Sequence, residues 1–120
     1  MKKIIHLFII YTIITSCIDE KKHVNFHISN SNYNHIADVK VSNGVNDILI
    51  DTIMPNMTKS ITLNFRGVPK VDGGYSLSYT LNSEKLVKNF GYYSNGVPST
   101  SEFEIYILQD TIQIKEVFKK

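Results

Sequence analysis

Tyr75-Ser76-Leu77-Ser78-Tyr79-Thr80-Leu81 alternates large apolar and small polar residues without a break. Successive side chains of a strand point to opposite faces, so Tyr75, Leu77, Tyr79 and Leu81 share one face and Ser76, Ser78 and Thr80 the other. A helix would scatter the same residues around its circumference. This stretch therefore predicts a half-buried β-strand, and the same period recurs along the chain on both sides of it.

Toward the N-terminus, Val24, Phe26 and Ile28 alternate with His23, Asn25 and His27, and Ala37, Val39 and Val41 with Asp38 and Lys40. Ile61, Leu63 and Phe65 alternate with Thr62 and Asn64. Toward the C-terminus, Phe103, Ile105 and Ile107 alternate with Glu102 and Glu104, and Ile112 and Ile114 with Gln113 and Lys115. Ile48-Leu49-Ile50 is apolar on both faces, which predicts a central or doubly covered strand. Residues 85–93 mix their parity and predict a bulge near Gly91.

Turn residues fall between these runs. Asn43-Gly44 predicts a tight hairpin turn, because both positions tolerate positive φ. Asn82-Ser83-Glu84 and Gln109-Asp110 are short links, and Asp72-Gly73-Gly74 and Asn95-Gly96 add further punctuation. Pro55, Pro69 and Pro98 lie outside the runs, so no proline opposes a strand. The pattern predicts an all-β fold, a two-sheet immunoglobulin-like sandwich of about 7–8 antiparallel strands. A small β-barrel is the alternative. The disulfide and tryptophan that pin many immunoglobulin domains are missing, because the chain has one cysteine and no tryptophan.

The N-terminus follows a different logic. Lys2 and Lys3 precede the apolar run Ile4–Ile14, and small Thr15 and Ser16 stand directly before Cys17. The run is short of the roughly 20 residues that span a bilayer and has the form of a secretory signal helix. Ile14-Thr15-Ser16-Cys17 resembles the lipobox of bacterial lipoproteins. The resemblance implies that Ile14, Thr15 and Ser16 are recognised by the signal peptidase and that Cys17 carries the lipid. It also implies removal of residues 1–16, a lipidated tether over 17–22 and a folded domain over 23–120. Several acyl chains on one cysteine, each buried CH₂ worth roughly 0.8 kcal/mol, make membrane release negligible. Asp19-Glu20 resembles the acidic export signal of some Bacteroidota lipoproteins, which implies the outer membrane, facing either the periplasm or the cell surface; a plain solvated linker is an equal reading of the same residues.

Residues 17–120 suffice for a single domain. The formal charge of +2 is carried by Lys2 and Lys3, and the rest of the chain is balanced. A balanced surface lacks the basic patch that nucleic acid requires. With Cys17 given to lipid, the domain is expected to hold itself together by its core alone.

Chemistry is sparse in the sequence. His23 and His27 share a strand face but lie roughly 13 Å apart, too far to share a metal. His35 falls in a polar loop, and no ligand spacing for zinc is present. No nucleophile motif or phosphate-binding glycine loop occurs. Asp47 and Asp51 flank an apolar strand, and Arg66 ends one. No cofactor is expected. The segment with binding character is Phe90-Gly91-Tyr92-Tyr93-Ser94-Asn95-Gly96-Val97-Pro98, in which paired tyrosines adjoin a Ser/Asn/Gly loop. Tyr33, in the early Asn/Ser loop, is a companion if both loops meet at one end of the sandwich. Against this stands plain packing, with Phe90 and one tyrosine in the core and Asn95 merely turning the chain; packing carries the greater weight, because aromatics chiefly serve cores. The functional expectation is a lipid-anchored, non-catalytic envelope protein that binds a protein or glycan partner. The alternative is a small hydrolase with dispersed Asp and His residues.

Overall fold

A computed structural model of the chain describes residues 22–118, which are all β, without a helix. The expectations for the signal helix, the cleavage site and Cys17 lie outside these residues. Of the tether only Lys22 is described; its carbonyl already accepts a hydrogen bond from Phe65 N.

Nine strands form two sheets: β1 (His23–Asn30), β2 (Ile36–Ser42), β3 (Asp47–Ile53), β4 (Thr58–Asn64), β5 (Gly73–Leu81), β6 (Glu84–Ser94), β7 (Val97–Pro98), β8 (Thr100–Ile107) and β9 (Ile112–Phe118). The first sheet has the order β4-β1-β8-β9 and the second β3-β2-β5-β6-β7. All pairings are antiparallel except one, since β8 runs parallel to β1. A strand that enters the first sheet after crossing over from the second need not reverse its neighbour's direction.

The period-2 runs bury the face they predicted. Val24, Phe26, Ile28, Tyr75, Leu77, Tyr79, Phe103, Ile105 and Ile107 are all core. Two cross-strand aromatic pairs lie at its centre. Phe26 pairs in register with Phe103 in one sheet, and Tyr75 with Phe90 in the other. The four rings form a block, with Phe26 stacked on Phe103 at 5.2 Å and Tyr75 edge-on to both. Phe65 and Tyr93 close one end of the block at a centroid distance of 5.0 Å. Such ring pairs contribute beyond their buried area.

Four local expectations are corrected. In β2, Asp38 takes φ +50 and the register with β5 slips between Ala37 and Lys40. This bulge reverses parity, so Ile36 faces the core with Val39 and Val41, and Ala37 does not. β3 is an edge strand and Leu49 is 70% exposed, so the apolar run 48–50 is covered on one face only. At Asn43-Gly44 only Gly44 has positive φ. Asn43 instead uses its side chain, whose Oδ1 accepts from Val45 N and Asn46 N. The two-residue turns with both φ positive are Asn82-Ser83 and Asn95-Gly96. Pro98 stands within β7, a two-residue edge strand where its missing N–H costs no ladder bond.

Candidate functional site: the loop end around Tyr33

The strand directions sort the connections between the long strands to one of two ends. The β1–β2 loop, the β3–β4 loop, the β5–β6 turn and the β8–β9 turn gather at one end. The β2–β3 turn, the β4–β5 loop and the β6–β7 turn gather at the other, where β1 also begins. The expected companions are therefore separated: Tyr33 lies at the first end, and Tyr92 and Asn95 at the second.

At the second end, Phe90 belongs to the ring block and Tyr93 is 5% exposed, its hydroxyl donating to the Asn43 carbonyl at 2.8 Å. Gly73, opposite Tyr93, leaves room for that ring; a Cβ there would lie 2.4 Å from its oxygen. Tyr92 is exposed. Asn95 sits in the turn with φ +56, and its N–H donates to Asp72 at 3.0 Å. That bond, aided by the Tyr92 and Ser94 side chains, holds the Asp72 carboxyl below the usual carboxylate range. Asn46 bridges to Asn64 and Arg66 carbonyls, so this end is largely stapled to itself.

The first end is built on two buried asparagines. Asn30 Nδ2 donates to the carbonyls of Asn34 and Ile53, both at 2.9 Å. Its Oδ1 accepts from the N–H and the side chain of Asn32, and Asn32 Nδ2 also donates to Ile107 O at 3.1 Å. The loop 31–35 is thus tied to β3 and to β8. A further bond from Asn34 Nδ2 to Asn82 Oδ1, 2.7 Å, ties it to the β5–β6 turn. The neighbouring Met54-Pro55-Asn56-Met57 closes with Met57 N donating to Met54 O, and Asn56 takes φ +63. Proline followed by a positive-φ asparagine is the type II arrangement. Asn56 N also donates to Asn30 O at 2.8 Å.

Tyr33 projects from this braced loop with 86% of its surface exposed, beside a groove of about 420 Å³. Ser31, Asn32, Asn56 and Gln109 line the groove together with apolar Pro55 and Leu108. A second cleft of about 510 Å³ opens at the same end between β6 and β9, and shares Leu108 and Gln109 with the first. The importance of Asn30 and Asn32 was hidden in the sequence, where they read as part of a polar loop. The only hint was an Asn-x-Asn directly after an apolar run, a spacing suited to local side-chain-to-backbone bonds.

The structure also assembles a constellation that the sequence did not reveal. His27 lies between Ser60 Oγ (2.7 Å from Nδ1) and Glu102 Oε1 (3.1 Å from Nε2), on the outer face of the first sheet. Serine, imidazole and carboxylate in series have the makeup of a hydrolase triad. The same face, however, carries Thr62 bonded to Asn25 and Ser29 bonded to Thr58, each at 2.7 Å. His27–Ser60 is the middle rung of this ladder of cross-strand polar pairs. None of the three groups lines either cleft. Among the described residues, no three His, Cys, Asp or Glu side chains gather as metal ligands.

No protein-family model matches the chain, and no curated protein does. Among solved structures it is similar to an NMR structure of a protein from Eubacterium rectale. The two share 16% sequence identity and a TM-score of 0.58, over 85% of this chain and 95% of that one. Likeness at this identity speaks to the fold alone.

Proposed function

We propose that the chain is a lipid-anchored, non-catalytic binding module of the cell envelope, whose partner docks at the loop end around Tyr33. One observation carries this reading: a tyrosine 86% exposed on a loop that buried Asn30 and Asn32 hold rigid. An exposed aromatic that has already lost its loop entropy is a preorganised contact. The anchor reading selects this end over the other. β1 starts at the end that carries Tyr92 and Asn95, and residues 17–22 reach at most about 20 Å. Lipid on Cys17 therefore turns Tyr92 toward the membrane and Tyr33 away from it.

We also read the sandwich as immunoglobulin-like. Support comes from pairing: β1 with β4 matches the B and E strands, and β3-β2-β5-β6 matches C′-C-F-G. On that reading the Tyr33 loop and the Asn82-Ser83 turn are the B–C and F–G loops, which immunoglobulin variable domains use for recognition. β8 and β9 take the place of the first strand.

The test uses a photo-crosslinking amino acid at position 33 or 92 in intact cells, with Cys17→Ser as a companion. Adducts from position 33, and loss of palmitate labelling in the Cys17 variant, are expected. Adducts from 92 and none from 33 would refute the choice of end, and continued labelling would refute the anchor. The Ser60–His27–Glu102 contact favours a second reading, a small hydrolase. It predicts ester turnover that Ser60→Ala removes; turnover indifferent to Ser60 would dispose of it.

A further inference from the structure

We infer that the groove beside Tyr33 takes a neutral saccharide. The inference rests on the binding reading above and names its ligand class. Among the described residues, every side chain lining the groove is uncharged. Neither an acidic peptide nor a phosphate-bearing chain finds a cation there, and a basic segment finds no carboxylate. The Tyr33 side chain is exposed enough to leave its ring faces open. The C–H-rich face of a pyranose is apolar and faintly positive, and it complements the negative face of an aromatic ring.

Around the ring, the Ser31, Asn56 and Gln109 side chains make no hydrogen bond to another described residue. They offer a hydroxyl and two amides, each able to donate and to accept, which is what a sugar hydroxyl also does. Beneath them Asn32, 6% exposed, keeps a buried Oδ1 without a partner among the described residues. The groove's volume lies within the range of small-ligand sites.

A peptide fits this groove less well. Strand addition needs free backbone groups, but here Ser31 N is bonded to Ile107 O, Asn56 N to Asn30 O and Leu108 N to Thr111 O. A helix needs an apolar trough, and only Pro55 and Leu108 supply apolar lining beside Tyr33.

The full-length chain, labelled with 3-fluorotyrosine, is titrated with cellotriose, maltotriose, tri-N-acetylchitotriose and, as a charged comparator, trigalacturonate. The Tyr33 resonance is assigned by its absence in Tyr33→Phe. At least one neutral trisaccharide is expected to shift that resonance in a saturable way, with the charged one weaker. By calorimetry, Tyr33→Ala should lower affinity at least tenfold, and Tyr33→Phe, which keeps the ring, by no more than about threefold. Asn56→Gly keeps the positive φ, removes the amide, and should weaken binding severalfold with an unchanged Tm. Silence of the Tyr33 resonance across the neutral set, or preference for trigalacturonate, overturns the saccharide assignment. If crosslinking from position 33 then still captures a protein, the loop-end reading stands without it; if that fails too, both fall.

Discussion

Tyr75 is the residue whose two halves are at odds. Its ring touches five others, yet its hydroxyl is buried without a hydrogen-bond partner among the described residues. Burial first, then the nearby Tyr93 and Glu116, push its phenol well above the ordinary value. A phenol that resists ionisation favours the fold while it is neutral. That contribution is complete below about pH 10 and fades as alkali rises through the raised value. Tyr75→Phe keeps the rings and removes the orphan group. It should raise stability by about 1 kcal/mol in urea unfolding at pH 7 and flatten the decline above pH 10; a loss of stability would reveal a hydroxyl partner. Asp72 behaves oppositely. Its lowered value means that its bond to Asn95 N is intact above the usual carboxylate range and weakens as the pH falls through the folded value. Exchange of the Asn95 amide should therefore be protected at pH 6 and quicken, relative to neighbouring turn amides, below about pH 4. At this scale the sequence was legible where alternation fixes orientation. It was not legible for Tyr92 and Tyr93: adjacent identical residues face opposite ways, and only the bulge decides which is buried.

That bulge shows what an element needs. β6 is the longest strand, and its register against β5 slips between Gly73 and Tyr75. Gly91 takes φ +69 there, and a Cβ would lie 2.8 Å from the Tyr75 ring and 2.9 Å from that of Phe103. Gly91→Ala thus meets both backbone strain and overpacking. The expected cost is about 2–4 kcal/mol, read from the urea midpoint; a cost under about 0.5 kcal/mol would show that the bulge relaxes freely. The mixed parity of residues 85–93 announced this irregularity. The bulge in β2 had no such sign, because Asp38 sits in an unbroken alternation and takes positive φ through its own short polar side chain. Ile48-Leu49-Ile50 misled for a related reason. An exposed leucine on an edge strand carries no penalty large enough to be selected against, so apolar runs report burial in one direction only.

For the whole molecule, two sheets are held by rings where a sulfur bridge is absent. Phe26→Ala removes the ring that meets both members of the opposite pair, Tyr75 and Phe90. It should cost about 3–5 kcal/mol and leave a strand-type circular dichroism spectrum that melts at much lower temperature. An unchanged Tm would mean that the block is not central. The all-β, two-sheet fold was readable from period and turns, but of the candidate site only Tyr33 was. The site's residues come from positions 31–33, 55–56 and 108–109, and only strand order brings those loops to one end while sending Tyr92 to the other. The same order has a consequence for crowding. β7 pairs only with Tyr93 and Ser94, so among the described residues the rim of β6 from Glu84 to Tyr92 faces no neighbouring strand. A second molecule adding antiparallel there, in the register that pairs Lys85 with Lys88, would set the ammonium groups of both copies side by side. Like charges facing one another along that margin oppose edge-to-edge association of copies.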